Sequence, residues 1–167
     1  MENNAITRIG FWKRVVAYLI DLLVSLLMGL VLITAFGKGM NAKDDQFSIV
    51  GFMFSFGMYV HACYIPIVCM DALMGQTPGK MILGIKIANA DGTRATLGIL
   101  TGRAVLKYLQ SICSIIFAFS GIWLFATLKN ITAPIVLIGY CLSLGKAKQA
   151  LHDMVLKTAV FKKSDIQ

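Results

Sequence analysis

The sequence contains few charged residues, and acidic residues are especially scarce. Only 14% of its 167 residues are charged, with eight Asp and Glu against sixteen Lys and Arg. Soluble domains contain about 25% charged and about 45–50% apolar residues, whereas this chain is 57% apolar and has a mean hydropathy of +0.75. A soluble globule of this length could not bury so much apolar surface in its core. The composition therefore excludes a water-soluble domain and a disordered chain, and it indicates a membrane protein.

Patterns typical of catalytic and metal sites are also missing. The four cysteines lie within apolar runs at no metal-ligand or disulfide spacing, and no Ser-His-Asp order or HExxH zinc motif is present. The segment 75–80, GQTPGK, differs from a phosphate-binding loop, because only three residues separate its glycines and Met81 stands where that loop needs Ser or Thr. We predict a tight turn there, at the membrane surface. We expect neither an enzyme nor a cofactor or metal site.

The excess of basic residues points to a membrane surface and not to nucleic acid. These residues lie between the apolar runs and in the C-terminal tail, without the basic helix or stacking aromatic residues typical of nucleic-acid binding. Cytoplasmic loops of membrane proteins carry such an excess of Lys and Arg. We therefore expect the lipid bilayer as the partner, with anionic headgroups on the cytoplasmic face.

Four apolar runs, at about 15–36, 47–70, 106–128 and 131–144, are candidate transmembrane helices. A crossing takes about 20 residues, and on this measure the fourth run, which spans roughly 21 Å, also fits a re-entrant segment. Four spans place thirteen of the sixteen basic residues on the side of both termini, as the positive-inside rule favours. We predict one all-α membrane domain over residues 1–167, with four transmembrane helices, in the cell inner membrane and with both termini cytoplasmic.

The segment between the second and third runs has the pattern of a small β-hairpin. Met81–Ala88 alternates apolar and other residues as a strand does. A turn at Asp91 and Gly92 would lead to a partner strand at Arg94–Thr96. Because an isolated hairpin is marginally stable, we expect this cytoplasmic hairpin to rest on the membrane face or on the tail. A helix capped by Thr96 then leads into the third span.

Asp21 is the charged residue within the first apolar run. A carboxylate near the middle of a membrane costs about 2.5–3.5 kcal/mol on insertion scales unless it is protonated or paired. Arg14 lies two helical turns away on the same face, but its side chain extends more naturally towards the headgroups. Two roles stay open for Asp21, namely an ion or proton ligand and a structural hydrogen bond to a neighbouring helix.

His61, within the second run, is the candidate partner of Asp21. With four spans, both residues fall in the cytoplasmic half of the membrane, and a His–Asp pair can relay protons because histidine titrates near neutral pH. A neutral buried histidine that bonds a hydroxyl or carbonyl group is the alternative.

Three blocks of the sequence resemble the RDD family of small bacterial membrane proteins. They are GFWKR and AYLID at 10–14 and 17–21, GQTPGK at 75–80 followed by LG at 83–84 and DG at 91–92, and LHD at 151–153 followed by TAV at 158–160. The family is named for one arginine and two aspartates. The resemblance implies that these are Arg14, Asp21 and Asp153, with Asp91 as the alternative to Asp153.

The resemblance also indicates a contact between Arg14 and Asp153. Both residues belong on the cytoplasmic side in the four-span topology, and an arginine withdrawn from water favours a carboxylate partner. We expect an ion pair that holds the tail under the first helix. His152 would either add a hydrogen bond or remain solvated.

Two classes of function fit the sequence. For the RDD family, transport of an unidentified ligand has been proposed, and sodium–proton antiport is associated with some members. The first class is transport of a cation, a proton or another small ligand, with Asp21 as the ion ligand or proton carrier and His61 as the relay. The alternative is a non-transporting accessory or scaffold protein that docks lipids or a partner complex. In either class we expect a homo-oligomer, because four short helices enclose little. Ser25 and Gly29 form a small-residue pair on the first helix that would permit close packing.

Overall fold

The computed structural model describes residues 7–36 and 49–166, except for the side chains of residues 36, 49–55, 57, 58, 61, 118 and 119. This part of the chain is mostly helical and contains one small antiparallel sheet of two strands. In chain order, its helices and strands are α1 (Phe11–Phe36), α2 (Ile49–Met74), α3 (Pro78–Ile82), β1 (Ile85–Asn89), α4 (Leu97–Lys107), α5 (Leu109–Ser120), α6 (Trp123–Cys141), α7 (Leu151–Val155) and β2 (Thr158–Lys162). Short 3-10 turns follow α6 and β2.

Helix α1 buries one stripe of residues that are spaced four positions apart. The stripe consists of Ala17, Asp21, Ser25, Gly29 and Ile33, and such spacing places residues on one helix face. A Cβ atom added to Gly29 would lie 2.7 Å from Val60 Cγ2 of α2. We expected Gly29 to permit contacts between copies of the protein, but it lies at the contact between α1 and α2 within one chain.

Two described helical segments, Phe11–Ala35 and Trp123–Leu144, are long and apolar enough to cross a membrane. Helices α4 and α5 form a third candidate if they are taken as one span, although they are bent by 66°. The described part of α2 contributes a shorter apolar segment, Ala62–Met74. The described residues thus contain two or three candidate spans. The predicted start of the second span, and the loop of residues 37–48 before it, lie outside them.

The boundary between the last two predicted spans is wrong. We expected the break near residues 129–130, but α5 ends at Ser120 and α6 begins at Trp123. Gly121 ends α5 with a left-handed conformation, φ +66°, and its N–H donates to the Phe117 carbonyl. Hydropathy does not reveal so short a turn within apolar sequence. Lys129, expected in the loop, lies within α6, and the last candidate span is 22 residues long.

The predicted β-hairpin is also wrong. Strand β1 covers only Ile85–Asn89, because the first part of the predicted strand belongs to α3. Its partner is β2, from the C-terminal tail, with Ile87 opposite Val160 in antiparallel register. Four of the five residues of β2 are buried, whereas Arg94 and Thr96 are exposed and offer no apolar face. Burial therefore selects the distant strand over the nearby one.

The sheet joins three distant parts of the chain. The Ile9 N–H donates to the Val160 carbonyl at 2.7 Å, and the Ile87 N–H donates to the Gly75 carbonyl at 3.0 Å. One apolar cluster includes Ile9, Ala17, Ile87, Val160 and residues around them. Residues 7–21, 71–107 and 148–162 meet here, and the ion pairs of the described residues lie beside this cluster. We call these three segments the polar junction.

Candidate functional site: a buried network of ion pairs

Asp153 lies fully buried in the first turn of α7, between two arginines. Its Oδ1 accepts a hydrogen bond from Arg103 Nε at 2.6 Å, and its Oδ2 accepts one from Arg14. The Ala150 N–H at the start of α7 also donates to Oδ2, at 3.3 Å. Burial alone would raise the pKa of Asp153, but Arg103 and Arg14 outweigh that effect and hold the pKa well below its usual range. Asp153 is therefore charged at neutral pH and connects α1, α4 and α7.

The structure contains the ion pair between Arg14 and Asp153 that we expected from the sequence. Arg14 also donates from Nε to the Ile9 carbonyl at 3.3 Å and from Nη2 to the Lys148 carbonyl at 2.9 Å. The guanidinium group therefore contacts both the start of α1 and the backbone that leads into α7. This arrangement fixes the C-terminal segment beside the first helix.

Asp71, at the end of α2, forms a second centre of the network that the sequence analysis missed. It is 1% exposed and accepts from Lys80 and, at 2.7 Å, from Lys107 Nζ. Arg103 Nη1 lies 3.6 Å from Asp71 Oδ2, so this arginine links both carboxylates. The available signal was the position of Asp71 and Lys107 at the ends of apolar runs, where charged side chains of opposite sign can meet.

The network carries more positive than negative charge. Four cations, Arg14, Lys80, Arg103 and Lys107, surround two carboxylates, which gives a formal charge of +2. Burial, reinforced by Lys107 and Arg103, lowers the pKa of Lys80 to about 7 against the opposing effect of Asp71. Even with a neutral Lys80, the network would retain an excess of one positive charge. Such a site favours an anion over a cation.

His152 lies inside the network without being charged. Burial, followed by the charge of Arg103, lowers its pKa to about 3, and its ring contacts Tyr140 edge to face at 5.2 Å. Its Nε2 has no hydrogen-bond partner among the described residues and lies 3.6 Å from Asp153 Oδ1. From the sequence we expected His152 either to add a hydrogen bond to the Arg14–Asp153 ion pair or to remain solvated. The structure shows a buried ring with Nε2 unbonded.

Asp21 accepts a hydrogen bond from the backbone of the GQTPGK segment. The Gly79 N–H donates to Asp21 Oδ1 at 2.7 Å. A Cβ atom at Gly79 would lie 2.1 Å from the Ala17 carbonyl oxygen, so only glycine allows this approach. Where we expected a tight turn, Thr77 caps α3 by accepting from the Lys80 N–H, and Pro78 occupies its first turn. The sequence block that contains Asp21 and the GQTPGK block therefore contact each other at Asp21.

The other two candidate residues have different outcomes. His61 lies in α2, but its side chain is outside the described residues, so its pairing with Asp21 stays a prediction. Asp91 is exposed and accepts from the N–H and hydroxyl groups of Thr93 at 2.9 and 2.7 Å, as in a tight turn. Asp153, and not Asp91, is the aspartate that contacts Arg14.

The model of the RDD family matches residues 8–157, a range that includes Arg14, Asp21, the α3 segment and Asp153. No curated protein and no solved structure matches the chain. Because the match covers most of the sequence and contains the whole ion-pair network, the chain belongs to the RDD family.

Proposed function

We propose that this chain is a non-transporting, four-span protein of the cell inner membrane that docks anionic phospholipids at its cytoplasmic face. The observation that carries the proposal is the unbalanced positive charge on the surface of the polar junction and tail. Seven lysines and arginines are exposed there, namely Lys13, Arg94, Lys146, Lys148, Lys157, Lys162 and Lys163. Near a membrane surface, each such cation contributes about 1 kcal/mol of attraction to anionic lipid.

The acidic side chains of the described residues do not balance this surface. Asp21, Asp71 and Asp153 are buried, and only Asp91 and Asp165 lie at or near the surface of the described chain. Both of these carboxylates accept hydrogen bonds from neighbouring hydroxyl groups, of Thr93 and Ser164. The exposed cations are therefore available to lipid phosphates.

The same contacts weigh against transport of a cation through Asp21. One of the two carboxylate oxygens of Asp21, Oδ1, already accepts a hydrogen bond from the Gly79 N–H. Asp71 and Asp153 are each bound by two or more cationic side chains. The excess positive charge of the network would also repel an entering cation.

The four-span topology rests on length and charge. The length of the last candidate span, Trp123–Leu144, supports a crossing there. Reporter fusions after Thr93 and at the C-terminus test the orientation, and we expect both positions to be cytoplasmic. An external C-terminus would contradict the topology.

Lipid docking is tested by thermal unfolding of the purified protein in detergent with added lipid. We expect phosphatidylglycerol to raise the unfolding midpoint more than phosphatidylcholine does, and salt to reduce the difference, because a ligand that binds only the folded state stabilises it. Replacing Lys13, Lys146, Lys162 and Lys163 by Gln should reduce the difference. Lys129→Gln, within α6, is the matched control and should leave it unchanged.

Transport is tested in parallel with proteoliposomes that carry a proton or sodium gradient. We expect the wild-type protein to give no more ion flux than empty vesicles. Flux that appears with wild type and disappears with Asp21→Asn would overturn the proposal in favour of cation transport. Equal stabilisation by both lipids would overturn lipid docking.

A further inference from the structure

A cavity of about 240 Å³ lies between the end of α2, strand β1, and the segment that leads into α4. Two cationic side chains line it, Lys86 from β1 and Arg94 from the turn after β1. No carboxylate is among the described residues that line the cavity. It is separate from the ion-pair network, whose cations belong to other positions of the chain.

Lys86 and Arg94 differ from the network cations in their partners. Within the described part of the chain, neither side chain forms an ion pair or a hydrogen bond to a side-chain acceptor, whereas Arg14, Lys80, and Arg103 each bind a carboxylate. Arg94 is exposed and Lys86 is half-buried. Two unpaired cations at one cavity favour a ligand with a negative charge.

The remaining walls of the cavity are apolar. Ile87 and Leu100 are buried at its inner side, and Leu73 and Met74 come from the last turn of α2. Leu73 and Met74 are 57% and 49% exposed, so the cavity adjoins apolar surface at the end of a helix. This surface suits contact with the lipid interface. A ligand that matches these walls has an apolar part next to its anionic group.

We propose that this cavity binds the headgroup of a single anionic phospholipid. Lys86 and Arg94 contact the lipid phosphate, and the apolar walls contact the glycerol and the first carbons of the acyl chains. The proposal rests on the proposed lipid-docking function, to which it adds one defined site. A free phosphate ion would leave the apolar walls without a partner, and the cavity is larger than such an ion needs.

The site is tested by counting lipids bound to the full-length protein and measuring their affinity by native mass spectrometry. The double variant Lys86→Gln/Arg94→Gln should weaken the tightest binding of phosphatidylglycerol by roughly 10- to 30-fold, since it removes two cations near the phosphate. The matched control, Lys162→Gln/Lys163→Gln, removes the same charge from exposed positions outside the cavity. It should weaken that binding by a clearly smaller factor than the cavity variant does, because charges at exposed positions are screened by water and salt.

A second variant tests the cavity without changing its charge. Ala95→Leu fills space beside Arg94, and we expect it to weaken the tightest lipid by a similar factor. The unfolding midpoint without lipid, measured for each variant, shows that the fold is retained. If Ala95→Leu does not fold, Ala95→Val serves as the smaller filling change. Wild-type affinity in both the charge and filling variants would overturn the site.

Three competitors identify the source of the anion. We expect inorganic phosphate, glycerol phosphate and laurate to leave the bound phosphatidylglycerol in place at equal concentration. Displacement by phosphate or glycerol phosphate would make this a site for soluble anions, and displacement by laurate would make it a site for carboxylate-headed amphiphiles. Either result overturns the lipid assignment.

Failure of the site and failure of the docking function give different results. If the exposed lysine control weakens binding as much as the cavity variant does, docking stands and the defined site is wrong. If wild-type protein binds phosphatidylglycerol and phosphatidylcholine equally, both proposals are wrong.

Discussion

Helix α1 packs in two different ways along its length. Where it contacts α2, the absence of a side chain at Gly29 allows the helices to approach closely. In its first half, which belongs to the polar junction, Arg14 and Asp21 form polar contacts with α7 and α3. Exchange between apolar side chains of similar volume costs an apolar helix contact little, whereas a buried polar group that loses its partner carries its full desolvation cost. We therefore expect single substitutions in the junction to cost more.

Asp153→Asn should have the largest effect, because it leaves Arg14 and Arg103 without their shared carboxylate. Removing one partner of a buried ion pair costs about 3–5 kcal/mol of unfolding free energy. The measurement is a denaturant titration of the protein in detergent micelles. Asp91→Asn, in the exposed turn, is the control and should cost less than about 0.5 kcal/mol.

The same pair is tested for direct coupling by a double-mutant cycle. Arg14→Ala and Asp153→Ala should each increase cleavage of the tail by protease in inverted vesicles. The increase in the double variant should be smaller than the sum of the two single increases. Additive increases would show that the two side chains act independently, in conflict with their contact.

Gly79→Ala should have the next largest effect, about 2–3 kcal/mol, because the added methyl group overlaps the Ala17 carbonyl. Gly98→Ala in α4 is the matched control, since a Cβ atom there meets no atom within 4 Å. Alanine is the better helix former, so this control should raise the unfolding free energy by up to about 1 kcal/mol. Equal effects at both glycines would show that α3 does not need its close approach to α1.

Asp21→Ala should lower the unfolding free energy by about 2 kcal/mol, because it leaves the buried Gly79 N–H without an acceptor. Asp21→Asn keeps an acceptor oxygen and should cost less than half as much. Comparing the two variants separates the contribution of the hydrogen bond to the unfolding free energy from that of the negative charge. A loss with Asn as large as that with Ala would indicate that the negative charge itself is required.

The smallest expected effect is a pH dependence that comes from His152. Its folded pKa, about 3, lies below the ordinary value of 6.5, so between these values the unfolded chain binds more protons and stability falls as pH falls. The loss should reach about 1.4 kcal/mol one pH unit below 6.5. His152→Gln should remove this part of the pH dependence. If the unfolding free energies of His152→Gln and wild type depend on pH equally between pH 6.5 and 4, His152 ionises normally.

The sequence allowed prediction of the features that depend on local pattern. The first helix, the helix after Thr96 and the pairing of Arg14 with Asp153 could be inferred from hydropathy and from the RDD resemblance. The partner of β1 could not, because it is chosen by burial of Val160 and its neighbours in a distant segment. The links of Arg103 to both carboxylates depend on how α2, α4 and α7 meet, and spacing along the chain does not specify that geometry.

The order of synthesis gives the strand pairing a further consequence. Strand β1 and the carboxylate of Asp71 emerge from the ribosome before Asp153 and β2. Since chains begin to fold from the N-terminal end during synthesis, the early helices must meet while Arg14 and the inner edge of β1 still lack their partners. Synthesis of α7 and β2 then supplies the partners that complete the junction. A chain that stops before α7 would leave Arg14 without its carboxylate partner and Arg103 with Asp71 alone.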